Sequence, residues 1–99
     1  DDVKLARYAK ALSHPARIEI LRMLASGRKL CFNDISASLP LADSTVSQHI
    51  SELKAAGLLK GHYDPPRVWY VLDPHNWKSA RKGLKAISRM KIQGNNPGK

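Results

Sequence analysis

A small, mainly α-helical domain with one β-hairpin is the fold class this sequence predicts, on three observations. Apolar residues recur at helical spacing along much of the chain, as Val46, Ile50 and Leu53 do in LPLADSTVSQHISELKAAG from Leu39 to Gly57. Beyond Gly57 the period shortens to alternation, in two runs separated by Asp64, Pro65 and Pro66. Ninety-nine residues with 42% hydrophobic content are enough for one domain with a modest core, and exclude wholesale disorder.

Each element has its own signal. Residues 3 to 12, VKLARYAKAL, put Val3, Leu5, Ala6, Ala9 and Leu12 on one side of a first helix, Lys4, Arg7 and Lys10 on the other, and Tyr8 near the boundary. Pro15 ends that helix and suits the first position of the next, where its missing N–H would have had no intrahelical partner. This second helix runs to about Ala25, buries Ile18, Leu21 and Leu24, and stops at Gly27. Lys29 to Cys31 is a short extended piece, and Asn33 is the expected cap of a third helix containing Ile35 and Leu39. Pro40 separates it from the fourth, whose N-cap is Ala42 or Asp43; a carboxylate at Asp43 suits the positive end of the helix dipole. Gly57 ends this helix through a left-handed backbone.

Helix, tight turn, helix over residues 33–57 is the helix-turn-helix pattern, whose second member enters the DNA major groove. Leu58–Tyr63 and Arg67–Leu72 read as strands whose connecting prolines cannot donate to a ladder. A hairpin placed directly after a recognition helix, residues 58–73, is a wing. Val68, Tyr70 and Leu72 are expected inward, and Trp69 and Val71 on the other face. A last helix spans about His75 to Ile92, with Trp77, Ala80, Leu84, Ile87 and Lys91 on a 3,4 repeat and Met90 beside them, before a frayed tail over 93–99.

Composition narrows the function. A formal charge of +9 and a pI near 10.1 point to a polyanionic partner, nucleic acid first and an acidic membrane surface second. A lone cysteine, Cys31, excludes an internal disulfide and a thiolate zinc cluster within one chain, and suggests a reducing compartment. No run approaches the roughly 20 apolar residues of a membrane span, and no signal-peptide pattern opens the chain, so a cytoplasmic location with no membrane partner is expected. With no Gly-rich phosphate loop, no paired carboxylates on one helix face and no nucleophile beside a base, neither an enzyme nor a cofactor is expected.

The fourth helix carries the candidate site. Opposite its apolar stripe stand Ser44, Thr45, Ser47, Gln48, His49 and Ser51, where an ordinary solvated helix would carry Glu, Lys and Arg. Hydroxyls, an amide and an imidazole reach base edges or phosphates at close range. Ser47 and Gln48 are the base-edge candidates and Ser44 and Thr45 the phosphate candidates; for His49, packing and phosphate contact stand equally open. In the wing, Arg67, then Lys60 and His62, are candidates for a minor groove or the flanking backbone, against an ordinary solvated hairpin edge. Lys78, Arg81, Lys82, Lys85, Arg89 and Lys91 make the last helix strongly basic; singly they read as solvation, together they raise non-specific DNA affinity. Cys31 is a small buried hydrophobe, a redox-sensing thiol or a remnant of a metal site.

ALSHPARIEILRML, KLCFNDISASL, LPLADSTVSQHISELKAAGLL and RVWYVL closely resemble the ArsR/SmtB family of winged-helix transcriptional repressors, over roughly residues 5 to 73. The resemblance implies a homodimer through the first and last helices, residues 1–13 and 75–92, with Leu5, Tyr8, Leu12, Trp77, Leu84 and Ile87 at the interface. It implies repression from an imperfect palindromic operator, with half-sites about 10 bp apart or a multiple of it, relieved by an inducer the residues leave unspecified. Metal-sensing relatives show a Cys-x-Cys pair at the start of the third helix; here Cys31 matches the first cysteine and Asn33 replaces the second. Relatives' second site uses His and carboxylates on the last helix, where residues 76–92 offer no His, Cys, Asp or Glu. No metal site is therefore expected. The alternatives are a metal- or thiol-responsive repressor using Cys31 and a winged-helix protein-interaction module.

Overall fold

The computed structural model describes residues 1–94. In chain order the elements are α1 (Asp2–Ala11), α2 (Pro15–Ala25), β1 (Leu30–Cys31), α3 (Phe32–Ala37), α4 (Asp43–Ala55), β2 (Leu59–Asp64), β3 (Arg67–Leu72) and α5 (Pro74–Ser88).

The five expected helices are all present, and their ends follow from local chemistry. Pro15 opens α2, where the Nδ1 of His14 accepts the Ala16 N–H at 3.1 Å. Cys31, rather than Asn33, precedes α3: the Asp34 carboxylate reaches back to accept the Cys31 N–H at 3.0 Å and its thiol at 3.3 Å. Ala42 is the N-cap of α4, and the Asp43 carboxylate instead accepts the Ser36 hydroxyl of α3 across the turn. Gly57 ends α4 at φ +86°, and its carbonyl accepts the Asn76 side-chain amide at 2.9 Å, tying the end of α4 to the start of α5. Asp73 caps α5 through the Asn76 N–H at 3.0 Å, with Pro74 in its first turn.

The sheet has three strands rather than two. β3 lies centrally, antiparallel to both neighbours, with Leu59 opposite Leu72, Asp64 opposite Arg67 and Leu30 opposite Tyr70. The extended piece before α3 thus becomes β1 by pairing with the wing. Tyr70 and Leu72 pack on the core as expected, while Val68 lies exposed near the hairpin tip.

Ile20, Leu24, Ile35, Val46, Leu53 and Leu58 are fully buried and join every layer of the domain. Leu39 lies past the end of α3, and three further expectations need correction. Ile20, not Ile18, completes the buried stripe of α2; Ile18 is 37% exposed because Leu21 and Leu24 pack towards the side that Ile20 shares. Val3 lies exposed at the start of α1. α5 ends at Ser88 with Arg89 as its C-cap, the Met90 N–H turning to the nearer Ile87 carbonyl at 3.0 Å, so Met90, Lys91 and Ile92 fall outside it. Of the tail expected to fray, residues 95–99 lie outside the described residues.

Candidate nucleic-acid interface

α4 sorts its side chains as its spacing demands. Val46, Ile50 and Leu53 are buried against α2 and α3, which leaves Ser44, Thr45, Ser47, Gln48 and Ser51 exposed on the opposite side. Gln48 donates to Glu52 one turn on at 3.3 Å, an exposed bond that a competing acceptor can replace. The first half of the helix carries no long charged side chain, so a surface of short polar groups is free to approach another molecule closely.

His49 stands apart from this set. It is only 6% exposed; its Nδ1 accepts the Arg17 Nε–H of α2 at 3.2 Å and its ring lies 4.3 Å from that of His14. Of the two readings open for this residue, the geometry favours packing. With Nδ1 accepting, the neutral ring carries its proton on Nε2, which is buried with no partner among the described residues. Burial holds the imidazole below its ordinary value of 6.5; the charges of His14 and Arg17 act in the same direction and Glu52 opposes them.

In the wing, Lys60, His62 and Arg67 are all exposed. The hairpin adds a residue that the sequence did not single out: Tyr63, 67% exposed, beside the tip at Asp64 and paired with Val68. Strand alternation alone turns Tyr63 to the face of buried Leu59; it is exposed because it lies near the hairpin tip, beyond the residues that reach the core. Trp69 packs beneath the Lys29 ammonium, 5.1 Å from its ring centroid.

The residues around Cys31 do not fit a thiophilic metal. The thiol is buried, donates to Asp34, and faces a hollow lined by Phe32, Asn33, Arg67 and Val68, where the guanidinium of Arg67 brings positive charge. Among the described residues no group of three His, Cys, Asp or Glu side chains could hold an ion. Nor is any helix among them long and apolar enough to cross a membrane.

The predicted interface residues differ in exposure. Tyr8 is packed inside the protomer; Leu5, Leu12, Trp77 and Leu84 are half-buried and Ile87 is 50% exposed. Leu5 and Ile87 share one hollow between α1 and α5, while Leu12 and Trp77 line another beside α2.

The paired helices α3 and α4, joined through Ser36 and Asp43 and followed by a hairpin, define a winged helix-turn-helix domain. Residues 14–60, from the α2 cap into β2, match the model of the bacterial regulatory protein arsR family. The HTH-type transcriptional regulator MJ1325 of Methanocaldococcus jannaschii is 32% identical over 71 residues, 71% of this chain and 80% of that one. The HTH-type transcriptional regulator CmtR of Mycobacterium tuberculosis H37Rv is 40% identical over 73 residues, 72% of this chain; the match spans only 60% of CmtR. Among solved structures, HlyU from Vibrio cholerae N16961 superposes with a TM-score of 0.71 at 26% identity, covering 93% of this chain and 96% of that one. The chain belongs to the arsR family of bacterial regulatory proteins.

Proposed function

We propose that this protein is a sequence-specific, DNA-binding transcriptional repressor that acts as a homodimer on an imperfect palindrome. One observation carries the reading: the exposed polar face of α4, held outward by the burial of Val46, Ile50 and Leu53 and flanked by the β2–β3 wing. Ser47 and Gln48 contact base edges, Ser44 and Thr45 contact phosphates, and Arg67, Lys60 and His62 follow the flanking backbone or minor groove. His49 acts from beneath, fixing α4 against α2 through Arg17. Membership of the arsR family supports regulation, and the apolar edge formed by half-buried Leu5 and exposed Ile87 supports pairing of α1 and α5 with a second copy. Nothing at Cys31 supports metal release.

Fluorescence anisotropy with a labelled operator and a random duplex tests this. Gln48→Ala with Ser47→Ala is expected to abolish the preference for operator, since each good bidentate base contact discriminates by about 1–3 kcal/mol. Absence of binding to any duplex at low salt would overturn the reading in favour of a protein-interaction module.

A further inference from the structure

The net charge of this protein is not where its reading helix is. Residues 1–73 carry ten Lys and Arg against eight Asp and Glu, whereas residues 74–99 carry seven and none. Within α5 and its C-cap, Lys78, Arg81, Lys82, Lys85 and Arg89 are all exposed. At about 100° per residue they fall within an arc of roughly 100°, on the side away from buried Ala80 and from Gly83, which meets Leu5 of α1. They form a positive stripe about 16 Å long.

Helix chemistry does not account for this stripe. An exposed face usually alternates sign, giving i, i+4 pairs that support the helix; here Lys78 and Lys82, Arg81 and Lys85, and Lys85 and Arg89 are like-charged at that spacing and oppose it. The helix dipole favours cations in the last turn, which explains Lys85 and Arg89 but leaves Lys78, Arg81 and Lys82 without a helical reason. Among the described residues the one ion pair joins Glu19 and Arg22 at 3.6 Å, so no carboxylate neutralises the stripe. The first turn of α5 is tied through Asn76 to the carbonyl of Gly57, about 15 Å along the α4 axis from Ser47, so the stripe begins near the end of α4 remote from Ser47 and Gln48. Ile87 lies nearly opposite the stripe on the helix, and a second copy covering Leu5 and Ile87 leaves the cations outside.

We propose that this outer face of α5 is a second duplex-binding surface, which holds the phosphate backbone of DNA independently of sequence and of base reading by α4. The match is one of charge: a row of unneutralised cations against a duplex bearing a phosphate charge every ~1.7 Å of its axis. A positive row of this kind releases condensed counterions as it meets the duplex, so it contributes affinity that falls with salt.

The test is the salt dependence of binding to a random duplex, for the wild type and for the quadruple variant Lys78→Gln, Arg81→Gln, Lys82→Gln, Lys85→Gln. The slope of log affinity against log salt is expected to become shallower by about 0.9 for each phosphate that the variant no longer neutralises, with the ratio of operator to random affinity kept. A control variant, Lys4→Gln, Arg7→Gln, Lys10→Gln, Arg28→Gln, removes the same charge elsewhere and is expected to change the slope less. An unchanged slope in the stripe variant, or an equal change in both variants, overturns the proposal. So does a stripe variant that fails to bind phosphatidylglycerol vesicles while its duplex slope stays as in the wild type. Because the duplex is random, failure here is distinct from failure of the Ser47 and Gln48 variants to alter operator preference.

Discussion

The imidazole of His49 places an acid-sensitive group beneath the exposed face of α4. Its folded pKa is lowered by burial, so the neutral form is the one the fold accepts. The unfolded chain then binds more protons between the lowered folded value and 6.5, and stability, fully present above 6.5, is lost as pH falls through that window. Thermal unfolding followed from pH 8 to pH 5 is expected to show a fall in Tm that His49→Gln reduces; an identical pH profile in the variant would contradict the role given to His49. Asp34 adds a separate, more acidic dependence. The Cys31 N–H and thiol bonds hold its carboxyl below the usual 3.8, so its contribution is present above that value and fades as pH drops below it. The same bonds, with Asn33 beside Cys31 and the Arg67 guanidinium in the adjoining hollow, predict that zinc, cadmium or arsenite at micromolar levels leaves the operator complex intact. Release followed by anisotropy during such a titration would show that Cys31 acts as a ligand.

Among the elements, α1 packs closely on α5 where Gly83 lacks a side chain. A Cβ at Gly83 would stand 2.8 Å from Leu5 Cδ1 and 3.3 Å from Cδ2. Gly83→Val is expected to displace the Leu5 side chain and loosen the packing of α1 on α5 at about 1 kcal/mol, read as a lower urea midpoint at unchanged m-value; an unaltered midpoint would contradict the tight approach. No pattern of apolar residues announces that approach. What was legible in the sequence was whatever a single element decides by itself: the stripe of α4, the caps at Pro15 and Gly57, the hairpin around Pro65 and Pro66. What was not legible depended on a partner distant in the chain. β1 is two residues long and exists through pairing with Tyr70 and Trp69. Ile18 and Ile20 both fit a stripe with Leu21, and only the position of the sheet and α4 selects Ile20. His49 has a polar side chain in a polar run, and its burial follows from Arg17 and His14 more than thirty residues earlier. The candidate reading residues were legible for the opposite reason, since exposure of Ser44, Thr45, Ser47 and Gln48 follows from the spacing of their buried neighbours.

For the molecule as a unit, one protomer offers one reading helix, and a palindrome needs two. Leu5 and Ile87 leave an apolar edge between α1 and α5 that a second copy would cover. Ile87→Asp is therefore expected to shift sedimentation equilibrium towards monomer and weaken operator binding at least tenfold, while helix content by circular dichroism is preserved. A variant that remains dimeric would place the interface elsewhere. The two roles assigned to α5 are compatible because its apolar and basic faces are nearly opposed, so pairing and backbone binding draw on different residues. Sequence preference and salt sensitivity should then be separable, with α4 governing the first and α5 much of the second.

Base reading by a symmetric pair of α4 helices is best put to the proof by selecting bound duplexes from a random pool. The expected result is an enriched imperfect palindrome with half-site centres about one helical turn, roughly 10 bp, or a multiple of it apart, and no such enrichment with the Ser47→Ala, Gln48→Ala variant. A pool that remains random after selection, or an enriched site unaffected by those two substitutions, would contradict it.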